Sequence, residues 1–314
     1  MKQFLRFLLL LFIFVAIAPA TAFAKGVDSN VNDSTKDKFK FVDVFREEYE
    51  IELDKEAAYN NYNKYRYRYY KEDKAGRVLV SDNIKPGAAL GDDKKSETIG
   101  YEGIIKYNDD TYTSRFGIDV SKYQHDINWE KVKEAGVEFA IIRIGFRGYG
   151  KAGSLVEDVC FRRNIEGAKA AGIDVGVYFY AQAISEEEAI EEAEFVLNIL
   201  DGEELQMPVV YDPEHVLNAP ARTDNVTGDQ FTKNAIAFTE KIKEAGYEPM
   251  IYANMMWEAF DFDMSELKDI PFWYADYERK PQTPYDYTMW QYTQSGKISG
   301  IKGTVDLNVQ LIKK

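Results

Sequence analysis

At 314 residues the chain is long for one average domain and short for three, so one large domain with an appendage is the expected plan. A formal net charge of −14 argues against nucleic acid as a partner, and two histidines are too few for a histidine-based zinc centre. The single cysteine, Cys160, excludes an internal disulfide, so stability must come from a packed core.

Residues 1–24 read as an export signal. Lys2 and Arg6 precede an apolar run from Phe7 to Ala18, and Ala22-Phe23-Ala24 supplies small residues for cleavage. The run is short for a bilayer span, so no integral membrane segment is expected after its removal, and the mature protein is expected outside the cell. Loss of Lys2 and Arg6 takes the net charge from −14 to −16. Residues 25–114 form a polar, acidic, Tyr-rich extension without regular apolar period. The YNNYNKYRYRYYKED stretch suits stacking on sugars or contact with anionic polymers, but a solvated spacer is favoured because low apolar content leaves ordering entropy uncompensated. Pro86, several glycines and many charges make 81–111 a linker.

From residue 115 to 314 short β-branched or aromatic runs alternate with helical stretches, the grammar of an α/β barrel or sheet with parallel strands. Strands are predicted at Phe116–Val120, Glu138–Ile144, Asp174–Tyr180, Met207–Asp212, Glu248–Tyr252, Pro271–Ala275, Tyr287–Gln291 and Val305–Val309. Eight runs fit a compact barrel, although one end lacks room for full helices. Helices are predicted after the N-caps Asn128, Ser185 and Thr227, the last two with Glu188 and Gln230 completing capping boxes. Gly136, Gly172 and Gly246 each close a helix just before a strand. The acidic run Glu186–Glu194 is a solvated helix face. Cys160, in DVCFRRN, has no histidine beside it and reads as buried apolar filler.

Functional side chains of a parallel barrel gather where strands end. Asp119, Asp212, Glu214, Asp276 and Asp306 all stand at such ends, where an aspartate can also simply cap or turn. Asp212 and Glu214 in VVYDPEHV are two residues apart on an extended segment and so point to one side. Close, buried carboxyls repel, which raises one pKa and leaves a proton donor beside a partner that stays charged. Glycoside cleavage needs that division. A Mg²⁺ or Ca²⁺ site is the rival use of the pair, but no phosphate loop or EF-hand pattern accompanies it, and no metal or cofactor is expected. Tyr178, Tyr180, Tyr211, Tyr252, Trp273, Tyr277, Trp290 and Tyr292 cluster at strand ends, where flat rings suit the apolar faces of sugars. About half of them belong to the core by the ordinary burial tendency of aromatics. Arg143, a charge inside a strand, is placed to orient a carboxylate.

Taken in order, GIDVSKYQ, INWEKVKEAGVEFAIIRIGFRGYG, NIEGAKAAGIDVGVYFYAQA, PVVYDPE, AGYEPMIYAN, FWYADY, MWQYTQSGKISGI and VDLN resemble glycoside hydrolase family 25, the lysozymes of bacterial, phage and fungal origin. The resemblance implies an irregular (β/α) barrel that hydrolyses the β-1,4 bond between N-acetylmuramic acid and N-acetylglucosamine. Carried over by motif, Glu214 would be the general acid. Asp212 would stabilise positive charge or an intermediate formed by the substrate's acetamido group, and Asp119 and Asp306 would hold substrate or tune the pair. Tyr178, Tyr180, Tyr252, Trp273, Trp290 and Arg143 are the expected substrate-binding residues. The implied partner is bacterial peptidoglycan, met by a monomer that is secreted or associated with the wall. Two departures stand out: Phe179 replaces the histidine of a YHF-like motif, and Pro213 lies inside DPE. The competing reading is a wall-binding protein whose barrel has lost catalysis; such a protein would be expected to lose a carboxylate, and none of the four is missing.

Overall fold

The computed structural model of the protein describes residues 85–86, 104–108, 112–216, 219–277, 281, 283 and 285–314. The export signal and most of the polar extension expected from the sequence lie outside the described residues.

Among the described residues, a two-residue antiparallel ribbon of Lys85–Pro86 with Ile105–Lys106 precedes nine strands and four α-helices, which follow one another in chain order from residue 112. They are β1 (Tyr112–Val120), α1 (Trp129–Glu134), β2 (Phe139–Arg147), β3 (Leu155–Glu157), α2 (Phe161–Ala170), β4 (Asp174–Ala181), α3 (Glu186–Leu200), β5 (Val209–Pro213), α4 (Gly228–Glu244), β6 (Pro249–Asn254), β7 (Phe272–Ala275), β8 (Met289–Gly296) and β9 (Val305–Lys313). Eight of the strands close a barrel in the order β1-β2-β4-β5-β6-β7-β8-β9 and back to β1, while β3 adds an antiparallel ribbon to the far end of β2. All eight predicted strand runs are barrel strands.

Neighbours are parallel from β1 round to β8, but β9 runs antiparallel to both β8 and β1. The reason is the connection between β8 and β9: it is too short for the helical crossover a parallel partner needs. After β6 the chain makes a π-helical turn, Trp257–Asp261, and among the described residues no α-helix separates β6 from β7 or β7 from β8. The barrel is thus irregular on the side where the sequence left no room for helices.

Strand alternation splits the core in two. Alternate strand residues such as Phe139, Ile141, Val210, Met250 and Met289 fill the barrel, while their neighbours Ala140, Ile142, Val209 and Ile251, with Leu307, face the helices outside. Gly117 faces inward, where a Cβ would stand 2.3 Å from the Phe139 ring, so this position must stay bare for the ring to pack. Helix caps follow the sequence in part. Asn128, Ser185 and Thr227 each accept the expected backbone N–H, and Gly136, Gly172 and Gly246 take positive φ after their helices. The return arms of the two predicted capping boxes are diverted, however. Glu188 accepts from the Ile184 amide and pairs with Arg222, and Gln230 donates to Asn234 instead. Cys160 is buried and free, with Arg163 Nη2 3.2 Å from its sulfur. No described helix is long and apolar enough to cross a membrane.

Candidate active site

The inward alternation that packs the barrel also delivers its acids to one mouth. Asp119 ends β1, and Asp306 begins β9 directly opposite it in the ladder. Asp212 lies inward on β5, and Glu214 follows as the chain leaves that strand at Pro213. All four carboxyls line a cleft of about 150 Å³ together with Tyr178, Tyr252, Trp273, Tyr277, Gln291 and Gln294.

Asp119 is the best-supplied carboxylate. Its Oδ2 accepts from Gln291 Nε2 at 2.9 Å and Asn308 Nδ2 at 2.8 Å. Both amides are held in that orientation from behind. Tyr252 and Tyr277 hydroxyls donate to Gln291 Oε1 at 2.9 and 3.0 Å, and the Trp273 indole donates to Asn308 Oδ1 at 2.8 Å. Asp306 also shares a hydrogen bond with Asp119. Burial and the charge of Asp119 push Asp306 up to about 9, so at neutral pH Asp306 carries the shared proton and Asp119 accepts it. Burial raises Asp119 too, opposed by those three hydrogen bonds.

Asp212 and Glu214 have a different environment. Asp212 is buried, its Oδ1 has no hydrogen-bond partner among the described residues, and burial, then Glu214 and Asp119, hold its pKa well above the usual carboxylate range. Glu214 is open to solvent within the cleft yet walled by protein, and this crowding plus the Asp119 charge pushes it up to about 7. A carboxyl at that value is protonated about half the time near neutrality and can donate. The charge that stays is best held at Asp119 rather than at Asp212, where the pairing argument from sequence placed it.

Of the expected sugar-binding residues, Tyr178, Tyr252 and Trp273 line the cleft, with Tyr252 and Tyr178 edge-on to Trp273 at 4.9 and 6.2 Å. Tyr180 follows on the same inward face and stands half-buried beyond them, its hydroxyl pKa raised by burial and by Glu214 and Asp212. Arg143 is not in the cleft lining. It is tied to Asp158 at 2.7 Å and flanked by the rings of Tyr123 and Phe146, and reaches Asp212 and Glu214 only through its field, which lowers both. Trp290 must be moved out of the site. It is 0 % exposed on the outer face of β8, donating to the Asp276 carbonyl, because it is one residue out of phase with the inward Gln291. Gln291, Asn308, Gln294 and Asp158 were not foreseen. Asn308 is two residues from Asp306 and Gln291 two from Met289, so strand parity alone could have found them. Among the described residues no three His, Cys, Asp or Glu side chains are grouped to hold a metal ion.

Residues 118–301 match the model of the family described as glycosyl hydrolases family 25. The chain is 29 % identical over 193 residues to an autolytic lysozyme of Clostridium acetobutylicum, a match covering 61 % of this chain and 54 % of the relative. It is 29 % identical over 243 residues to lysozyme M1 of Streptomyces globisporus, covering 73 % of this chain and 75 % of that one. Among solved structures it resembles the modular autolysin LytC of Streptococcus pneumoniae, in complex with a synthetic peptidoglycan ligand. The TM-score is 0.54 at 27 % identity, over 63 % of this chain and 47 % of that one. The chain thus spans about half the length of some of the relatives it matches. With the matched stretch running from the end of β1 through β8, more than half of the chain, and holding Asp119, Asp212 and Glu214, the chain belongs to family 25 of the glycosyl hydrolases.

Proposed function

We propose that the protein is a secreted muramidase that hydrolyses the β-1,4 bond between N-acetylmuramic acid and N-acetylglucosamine in bacterial peptidoglycan, with Glu214 as the general acid. The observation that carries this reading is the pairing of a solvent-reachable carboxyl pushed up to about 7 with a charge-holding carboxylate in one aromatic-lined cleft.

In this reading Tyr178, Tyr252 and Trp273 set the sugar ring against the acids through ring and hydroxyl contacts. Glu214 gives its proton to the leaving glycosidic oxygen, and its neighbours favour that loss only as positive charge grows at the anomeric carbon. Asp119, fixed by two amides and the Asp306 proton, supplies a negative field at no reorganisation cost. Asp212 Oδ1, buried and without a hydrogen-bond partner among the described residues, is an acceptor for the N–H of the 2-acetamido group as that group turns its carbonyl oxygen toward the anomeric carbon. The lysozyme relatives and LytC with its peptidoglycan ligand support the substrate class. The export-signal pattern at residues 1–24 supports action outside the cell, at the wall.

The test is release of reducing ends from purified, insoluble peptidoglycan by the protein and by Glu214→Gln. The variant should lose at least about a hundredfold, the usual worth of a positioned general acid. Equal release by both proteins would remove Glu214 from the role.

A further inference from the structure

Glu214 is presented from a stretch of backbone that no strand ladder holds. Pairing of β5 with β4 ends at Pro213, and residues 214–216 beyond it lie in no helix or strand. The carbonyl of Glu214 itself is gripped by Gln182 Nε2 at 2.6 Å.

Gln182 sits just past the end of β4, is fully enclosed, and has every polar group committed. Its Oε1 accepts from Thr223 Oγ1 at 3.1 Å, which fixes the amide with its N–H₂ toward Glu214. Its backbone N–H donates to Glu192 at 3.0 Å, and its carbonyl accepts from Arg222 at 3.0 Å. These partners are anchored in turn. Glu192, on α3, is buried against Arg147 of β2 at 2.8 Å, and Arg222 holds Glu188 of α3 by two bonds of 2.7 and 2.6 Å. A single buried amide therefore links the backbone of Glu214 to two elements of the barrel wall.

We propose that Gln182 is a positioning residue for Glu214, fixing the backbone from which the carboxyl enters the cleft beside Asp119. The inference rests on Glu214 being the acid. Such a tether matters because displacement of a reacting group by about 1 Å can cost on the order of a hundredfold in rate. Without it Glu214 would swing toward solvent, lose the crowding by protein and the Asp119 charge that raise its pKa, and hold its proton less firmly at neutral pH.

Gln182→Met keeps the side-chain length and both backbone bonds while removing the amide. With peptidoglycan as substrate it should lower kcat about tenfold to a hundredfold, leave KM within about twofold, and move the alkaline limb of the pH profile to lower pH. Thr223→Val, which frees only the far end of the amide, should lower kcat by about threefold in the same sense. A purely structural role would instead reduce the folded fraction seen by near-ultraviolet circular dichroism and leave the limb of the remaining activity in place. Wild-type kcat and pH limb in Gln182→Met, or in Thr223→Val should Gln182→Met fail to fold, overturn the proposal. Glu214→Gln in the same assay separates the two readings. If it is inactive while Gln182→Met behaves as wild type, only the tether fails; if it is active, the acid assignment fails first.

Discussion

Replacing Asp306 by asparagine should make the protein more stable, and more so at pH 7 than at pH 4. Asp306 is pushed up to about 9 from an ordinary 3.8 by burial and by the Asp119 charge opposite it. An acid raised on folding favours the folded state below its unfolded pKa, and that contribution drains away as pH rises from about 3.8 to about 9. At pH 7 the unfolded chain has already released this proton while the folded chain keeps it. Each pKa unit is worth about 1.36 kcal/mol, so the loss by pH 7 is about 4 kcal/mol. The proton is shared with Asp119, also raised, so Asp306 alone accounts for on the order of 2–4 kcal/mol. An asparagine amide can still donate to Asp119 but takes up no proton. Thermal unfolding of both proteins should show Asp306→Asn melting roughly 5–10 °C higher at pH 7, the gap closing near pH 4. An equal or lower Tm at pH 7, or a gap that widens on acidification, would refute the shared-proton account.

The pH profile of kcat/KM should fall above about pH 7 as Glu214 loses its proton, and Asp119→Asn, by removing the charge that helps raise it, should shift that fall to lower pH; an unmoved limb would contradict the coupling. Arg147→Met should cost about 3–5 kcal/mol in urea unfolding, because it strips the cation from fully buried Glu192, and a loss under 1 kcal/mol would count against the pair. Phe238→Ala, emptying a site between α4 and Tyr211 on β5, should lower stability by about 3–5 kcal/mol with an unchanged denaturant slope.

Much of the barrel was legible because its strands are short β-branched and aromatic runs and its helices carry Asn128, Ser185 and Thr227 at their starts. The direction of β9 was not, because a period of two is the same read either way and only the short link after Gly296 signals the reversal. At the site, Asp119, Asp212, Glu214 and Asp306 could be picked out as acids at strand ends. Trp273 and Trp290 looked alike as rings near strand ends, and only parity relative to the inward residues separates the cleft residue from the core one. Arg143 read as a site charge because its partner, Asp158, lies across the β2–β3 ribbon where no spacing rule reaches. Gln182 left no trace in pattern or charge. Its role depends on a backbone carbonyl that the fold brings to it from another loop.

The central claim is tested most directly by mass analysis of the soluble products of a peptidoglycan digest after borohydride reduction. Muramidase action predicts reduced muramic acid at the new chain ends with the wild-type protein, and no such ends with Glu214→Gln. Reduced glucosamine at those ends, or muramic ends produced equally by the variant, would contradict it.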